Sequence, residues 1–131
     1  MSPDFFSSSA AETPWVIVVD DDEAMRDSLK FLFESYGLNV EEHDSVESYE
    51  RDHKPHARGC LILDHNLPGM SGLSFLASKG DKLDLPVVMM SGCDKRDMRD
   101  RAMELNVLAY FEKPAANDLL VETIRRAVGN A

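Results

Sequence analysis

From Trp15 onward, short continuous apolar runs alternate with amphipathic segments. Trp15-Val16-Ile17-Val18-Val19 is β-branched and unbroken by polar residues, which predicts a strand buried on both faces. Met25, Leu29, Leu32, Phe33 and Tyr36 recur at helical spacing across Ala24 to Tyr36, and Gly37 stops that helix. Leu38 to His43 predicts a weaker strand near a sheet edge. Ser45 to about Asp52 predicts a short helix, with Ser45 as N-cap and Glu47 in the first turn, where the helix dipole favours negative charge. Cys60-Leu61-Ile62-Leu63, ending at Asp64, predicts a buried strand, and Ser71 to Lys79 a helix with Leu73 and Leu76 or Phe75 inward. Pro86 to Met90 reads as a strand with its proline at the first position, where a missing N–H is tolerated. Asp94 or Lys95 to Leu105 reads as helix, Leu108 to Phe111 as a short strand, and Ala115 to Val128 as the last helix, with Asn117 or Asp118 in its first turn.

Strands and helices alternating in this way argue for a parallel sheet covered on both faces, joined by right-handed crossovers. Ligands of such sheets bind beyond the carboxyl ends of the strands. Asp20-Asp21-Asp22 follow the first strand, Asp64 ends the third, Ser91 ends the fourth and Lys113 follows the fifth. Separate parts of the chain thus deliver polar groups to one edge. Carboxylates crowded there repel one another and raise their pKa values. A hard cation such as Mg²⁺ relieves that repulsion through oxygen ligands. A carboxylate can also attack phosphorus to form an aspartyl-phosphate, while a metal, a lysine and a hydroxyl hold the phosphoryl oxygens.

Composition narrows the picture. The 131 residues form one domain, large enough to fold without a metal or a disulfide. With 14 Lys plus Arg against 24 Asp plus Glu, the net charge of −10 argues against direct nucleic-acid binding by this segment. Cys60 and Cys93 lack metal-binding or redox spacing, and Cys60 reads as a small buried hydrophobe. No apolar stretch approaches the ~20 residues that span a bilayer, and no basic region precedes an apolar core at the N-terminus. No membrane contact and a cytoplasmic location are therefore expected. Residues 1–14, with Ser7-Ser8-Ser9, read as a mobile tail before a domain of residues 15–131.

Four segments carry a resemblance: Val18-Val19-Asp20-Asp21-Asp22, Leu63-Asp64-His65-Asn66-Leu67-Pro68-Gly69-Met70, Met90-Ser91-Gly92 and Tyr110-Phe111-Glu112-Lys113-Pro114. In order and spacing, the chain resembles the receiver domain of two-component response regulators, and more loosely the FixJ-like group, over about Trp15 to Val128. The resemblance implies a flavodoxin-like, doubly wound α/β fold: five parallel strands in the order 2-1-3-4-5 and five helices. It implies Asp64 as phosphoacceptor and metal ligand, Asp21 as direct Mg²⁺ ligand, Asp20 acting largely through water, and the Asn66 backbone carbonyl as a further ligand; Mn²⁺ can substitute. Ser91 and Lys113 would each hold a phosphoryl oxygen, and the rotamer of Tyr110 would follow phosphorylation. Asn66 and Cys93 would border the path of attacking water and tune dephosphorylation. The Lys113–Pro114 peptide would be cis. The implied phosphoryl donor is a histidine kinase or histidine phosphotransfer protein. The surface that switches would lie on the fourth helix, fifth strand and fifth helix, with homodimerisation on phosphorylation one possible output. Three positions depart from the family pattern. Asn106-Val107 replace a common Gly-Ala, Ser71 a frequent Asp, and Ser91 the commoner Thr, whose hydroxyl it keeps. Asn can occupy the left-handed conformation that Gly would.

Other residues have simpler readings. Asp22 reads as the N-cap or first-turn acid of the first helix. Tyr110, as a tyrosine in a central strand, also reads as core. His53 and His56, flanking Lys54-Pro55, read as solvated loop residues, and His65 as a residue without a specific role. Phe31 falls off the apolar stripe beside Lys30 and Glu34, which marks either a docking surface for a kinase or phosphotransfer domain or a side chain covered by a loop. A phosphatase with an Asp nucleophile generally has a second acid two residues later, where this chain has Asn66. A degenerate interaction module has no need of the intact set Asp20, Asp21, Asp64, Ser91 and Lys113. The chain suits either a single-domain regulator or the receiver of a transcription factor.

Overall fold

The computed structural model describes residues 13–56, 58–92 and 96–129. The strands are β1 (Trp15–Val19), β2 (Asn39–His43), β3 (Gly59–Asp64), β4 (Val87–Ser91) and β5 (Ala109–Glu112). The helices are α1 (Glu23–Ser35), α2 (Val46–Asp52), α3 (Gly72–Lys79), α4 (Arg96–Glu104) and α5 (Asn117–Ala127), with one 3-10 turn at Gly80–Lys82. All strands run parallel, in the order β2-β1-β3-β4-β5. This is the doubly wound arrangement expected.

Alternation along the inner strands sends side chains to two cores. Ile17, Val19, Leu61, Leu63, Val87 and Met89 face one side, where Tyr49, Phe75 and Ala102 pack on them. Val16, Val18, Cys60, Ile62, Val88 and Met90 face the other, against Leu29, Phe33, Leu120 and Ile124 of α1 and α5. Phe33, Phe75, Leu61 and Ile62 are fully buried. At about 1.5–3 kcal/mol for each large side chain, such burial fixes the sheet and hence the positions of its strand ends.

The caps fall where the short polar residues predict. The Asp22 carboxylate accepts from the backbone N–H groups of Ala24 and Met25, Ser45 from Ser48, and Ser71 from Ser74. Ser71 is therefore the cap of α3 rather than its first residue. Asn106 adopts a left-handed φ of 65° and Lys113–Pro114 is cis, as expected.

Some expectations are corrected. Tyr36 is half exposed instead of completing the α1 stripe. The helix ends at Ser35, and the Leu38 N–H turns back to the Phe33 carbonyl through Gly37, whose φ is +83°. The last helix begins at Asn117, two residues later than predicted, because its cap residue Ala116 is in extended backbone. β5 is an edge strand, so Tyr110 is half-buried and not central core. The expected mobile tail lies almost wholly outside the described residues, as does Cys93.

Candidate functional site

Pairing staggers the strand ends onto one edge: Asp64 lies beside Met90, and Ser91 beside Glu112. Asp20 and Asp64 are each only 3% exposed, whereas Asp21 is exposed. Carboxylate oxygens of Asp20, Asp21 and Asp64 lie within 4.8 Å of one another, the only such group of ligand-bearing side chains among the described residues. Lys113 Nζ reaches this cluster from the far side of the sheet, 2.9 Å from Asp20 Oδ2 and 3.3 Å from Asp64 Oδ1. The backbone holds the frame: the Lys113 N–H donates to the Ser91 carbonyl at 2.8 Å, the His65 N–H to Met90, and the Asp20 N–H to His43.

The ammonium is aimed at Asp20, and Asp64 Oδ1 has no aligned hydrogen bond among the described residues. Burial, with repulsion from Asp20 added, pushes the Asp64 carboxyl up to about 6, against the pull of Lys113 and of the Asn66 backbone N–H. Burial also disfavours the Lys113 charge, but Asp20 and Asp64 outweigh it and raise its pKa above the ordinary lysine value. A buried, under-satisfied carboxylate oxygen beside two further acids is a hard-oxygen donor set, and exposed Asp21 leaves one side open to water. These residues fit a Mg²⁺ ion that keeps part of its hydration.

Ser91 is fully buried, and its hydroxyl donates to the Met98 thioether at 3.7 Å. Tyr110 presents its ring to the Arg99 guanidinium, 5.4 Å from the ring centre. Asn66 sits exposed in the turn after Asp64. Two supports of the site escaped sequence reasoning. Arg26 Nη1 donates to the Asp20 carbonyl at 2.7 Å, which ties α1 to the acid pair; its signal was a lysine-or-arginine one helical turn after the Asp run. Gly72 lies so close to Asp64 that a Cβ would sit 2.6 Å from the Asp64 carbonyl oxygen.

The histidines beyond the site also differ from expectation. His56 is not a solvated loop residue: its side chain is nearly buried, stacked on Trp15 and bonded to Glu41 Oε1 at 2.8 Å. His53 is exposed, but it stacks on Tyr49 and bonds the Tyr49 carbonyl. His43 bonds the other Glu41 oxygen at 2.6 Å. Together these bonds hold Glu41 below its ordinary range although burial alone would raise it.

The sequence profile of the response regulator receiver domain matches residues 16–125. The chain belongs to that family. The receiver is 34% identical over 117 residues to the transcriptional regulatory protein FixJ of Azorhizobium caulinodans, covering 88% of this chain and 56% of that protein. It is 34% identical over 116 residues to the response regulator protein TmoT of Ectopseudomonas mendocina, covering 86% and 52%. Among solved structures it superposes on the response regulator StyR with a TM-score of 0.80 at 31% identity, covering 89% of this chain and 60% of that one. On FixJ-N the TM-score is 0.78 at 31% identity, with coverage of 89% and 94%. The chain thus spans about half the length of the curated relatives it matches. Receivers of this family bind Mg²⁺ through an acidic pocket, and the cluster at Asp20, Asp21 and Asp64 is where this receiver could hold it. Among the described residues no helix is long and apolar enough to cross a membrane.

Proposed function

We infer that this receiver accepts a phosphoryl group on Asp64, in a Mg²⁺-dependent reaction, from a histidine kinase or histidine phosphotransfer protein. A single observation carries the reading: Asp64 is buried at the strand edge with an under-satisfied oxygen, between an acid pair and the Lys113 ammonium. The Asp64 carboxylate would attack phosphorus; the donor's phosphorus–nitrogen bond would break, leaving the electron pair on the imidazole nitrogen. Bound Mg²⁺ would supply charge neutralisation for the phosphoryl oxygens. Asp20, Asp21, Asp64 and the Asn66 carbonyl would hold it. Lys113, at 2.9 Å from Asp20 and 3.3 Å from Asp64, is placed to turn toward a phosphoryl oxygen when one arrives. Ser91 would take another oxygen, and the ring of Tyr110 would follow. Asn66 and Cys93 would set access for the water that removes the group.

A phosphoryl group adds roughly −1.5 to −2 charge, enough to bias a bistable surface. The surface proposed to respond comprises α4, β5 and α5, where Met103, Leu108 just before β5, and Leu119 stand exposed. It would serve a protein partner or a second copy of the chain, with the output in the cytoplasm and without direct nucleic-acid contact by this domain. Phe31, 78% exposed on α1, borders an apolar groove of about 350 Å³ formed with Met25, Leu32, Met90 and Pro114. That groove is the proposed docking place for the phosphoryl donor.

Intact-mass spectrometry after incubation with acetyl phosphate and Mg²⁺ tests the reading. Wild type should gain one phosphoryl mass, and none when a chelator is present from the start, and Asp64→Asn should gain none. An equal adduct on Asp64→Asn would overturn it.

A further inference from the structure

Two neighbouring residues in the first turns of α4 touch the two residues proposed to respond to phosphorylation. Met98 Sδ accepts the hydroxyl proton of Ser91 at 3.7 Å, and the Arg99 guanidinium lies over the Tyr110 ring. Met98 is half-buried and packs against the core beneath α4, so its sulfur sits on a fixed element rather than a free side chain. Ser91 is wholly buried, so its hydroxyl cannot turn to bulk water.

We propose that Met98 is a positioning residue that latches the Ser91 hydroxyl onto α4 until a phosphoryl oxygen at Asp64 accepts its hydrogen bond instead. The inference rests on the reading of Ser91 as a phosphoryl-oxygen ligand. A thioether sulfur is a weak acceptor, whereas a phosphoryl oxygen is charged and forms the stronger, charge-assisted bond. The exchange therefore runs one way when the phosphoryl group arrives. It releases one bond between β4 and α4 through the same residue that completes the phosphoryl site. Arg99, next along the chain, places the Tyr110 ring on that same element. One helical turn thus registers both events. The latch also sets the affinity of the site, because the resting bond to Met98 must be given up on binding.

The test is calorimetric titration of the full chain with beryllofluoride and Mg²⁺, a stable stand-in for the phosphoryl group. Met98→Leu conserves volume but removes the acceptor, a swap that cores tolerate. It should bind about two- to fivefold more tightly than wild type, at the low end of what one hydrogen bond contributes. Met98→Gln puts a carbonyl, a stronger acceptor than a thioether, at similar reach and should bind about two- to fivefold more weakly than wild type. It also carries the test if Met98→Leu does not fold. In a Ser91→Ala background both substitutions should leave affinity unchanged. Equal effects of Met98→Leu with and without Ser91, or no effect in either, would overturn the latch while leaving Ser91 as a ligand. Wild-type affinity in Ser91→Ala itself would overturn the role of Ser91 and the latch with it.

Discussion

Asp64 is the residue whose chemistry opposes its own environment, and Asp64→Asn isolates that conflict. The carboxyl has an ordinary pKa of 3.8 and is pushed up to about 6, first by burial and then by Asp20. At 1.36 kcal/mol per pKa unit, that rise withholds about 3 kcal/mol of stability at neutral pH. The sign follows from proton uptake. Between pH 3.8 and about 6 the folded chain binds the proton and the unfolded chain does not. This group's contribution is therefore fully present below 3.8 and gone once the pH passes about 6. Asn is neutral throughout and nearly isosteric. In metal-free buffer at about pH 7.5, Asp64→Asn should be more stable than wild type by about 1–3 kcal/mol, below the full figure because Lys113 and the Asn66 N–H bind an amide less well than a charge. Urea denaturation followed by far-ultraviolet circular dichroism would read the difference. It should shrink as the pH falls from about 6 toward 3.8, the window in which only folded Asp64 holds its proton. Mg²⁺ should also close it, since a metal bound only by the folded wild type adds about 2.7 kcal/mol at a hundredfold excess over its Kd. A variant no more stable than wild type at pH 7.5, or a gap equal at pH 4.5 and 7.5, would refute the electrostatic account.

Three further outcomes follow from geometry elsewhere. Gly72→Ala places a Cβ 2.6 Å from the Asp64 carbonyl oxygen and 3.1 Å from His65 Cα, and backbone atoms cannot yield as a side chain would. It should cost about 1–3 kcal/mol and slow phosphorylation by acetyl phosphate; a wild-type melting curve and rate would show that the close approach is harmless. Glu41→Ala removes the shared acceptor of His43 and His56 and should cost about 1–3 kcal/mol near pH 6. Because Glu41 is held below its ordinary 4.5, its stabilisation is present above that pH and is lost as the pH falls through its folded value, so a cost undiminished at pH 3 would contradict the reading. Phe31→Ala should leave stability and acetyl phosphate labelling unchanged but slow transfer from a phosphorylated protein donor; transfer at the wild-type rate would remove the groove as a docking place.

What the sequence made legible and what it hid have different physical origins. The site edge was legible because continuous runs such as Trp15 to Val19 and Cys60 to Leu63 can be little other than inner strands, and each run ends in a polar residue where a parallel sheet presents its ligands. The caps at Asp22 and Ser45 were legible for the same local reason: a short acceptor side chain meets free N–H groups two or three residues on. Tyr36 misled because helical spacing cannot say where a helix stops, and Gly37 turned the chain one residue earlier than the stripe required. His56 misled because Lys54-Pro55 describes a loop correctly but says nothing of what the loop covers. Edge strand β2 pairs Glu41 with Ile17 and leaves its side chain mostly buried, and a carboxylate so placed requires donors. The loop folds back to supply one, and Trp15 gives its imidazole a surface to stack on. The contact between Met98 and Ser91 was hidden more deeply. Each residue alone fits a helix or a strand end, and only the packing of α4 against β4 makes a thioether a resting partner of that hydroxyl. Residues proposed to carry the chemistry were therefore readable from strand ends, whereas residues that hold them in place belong to tertiary contacts and appear only when the elements are packed.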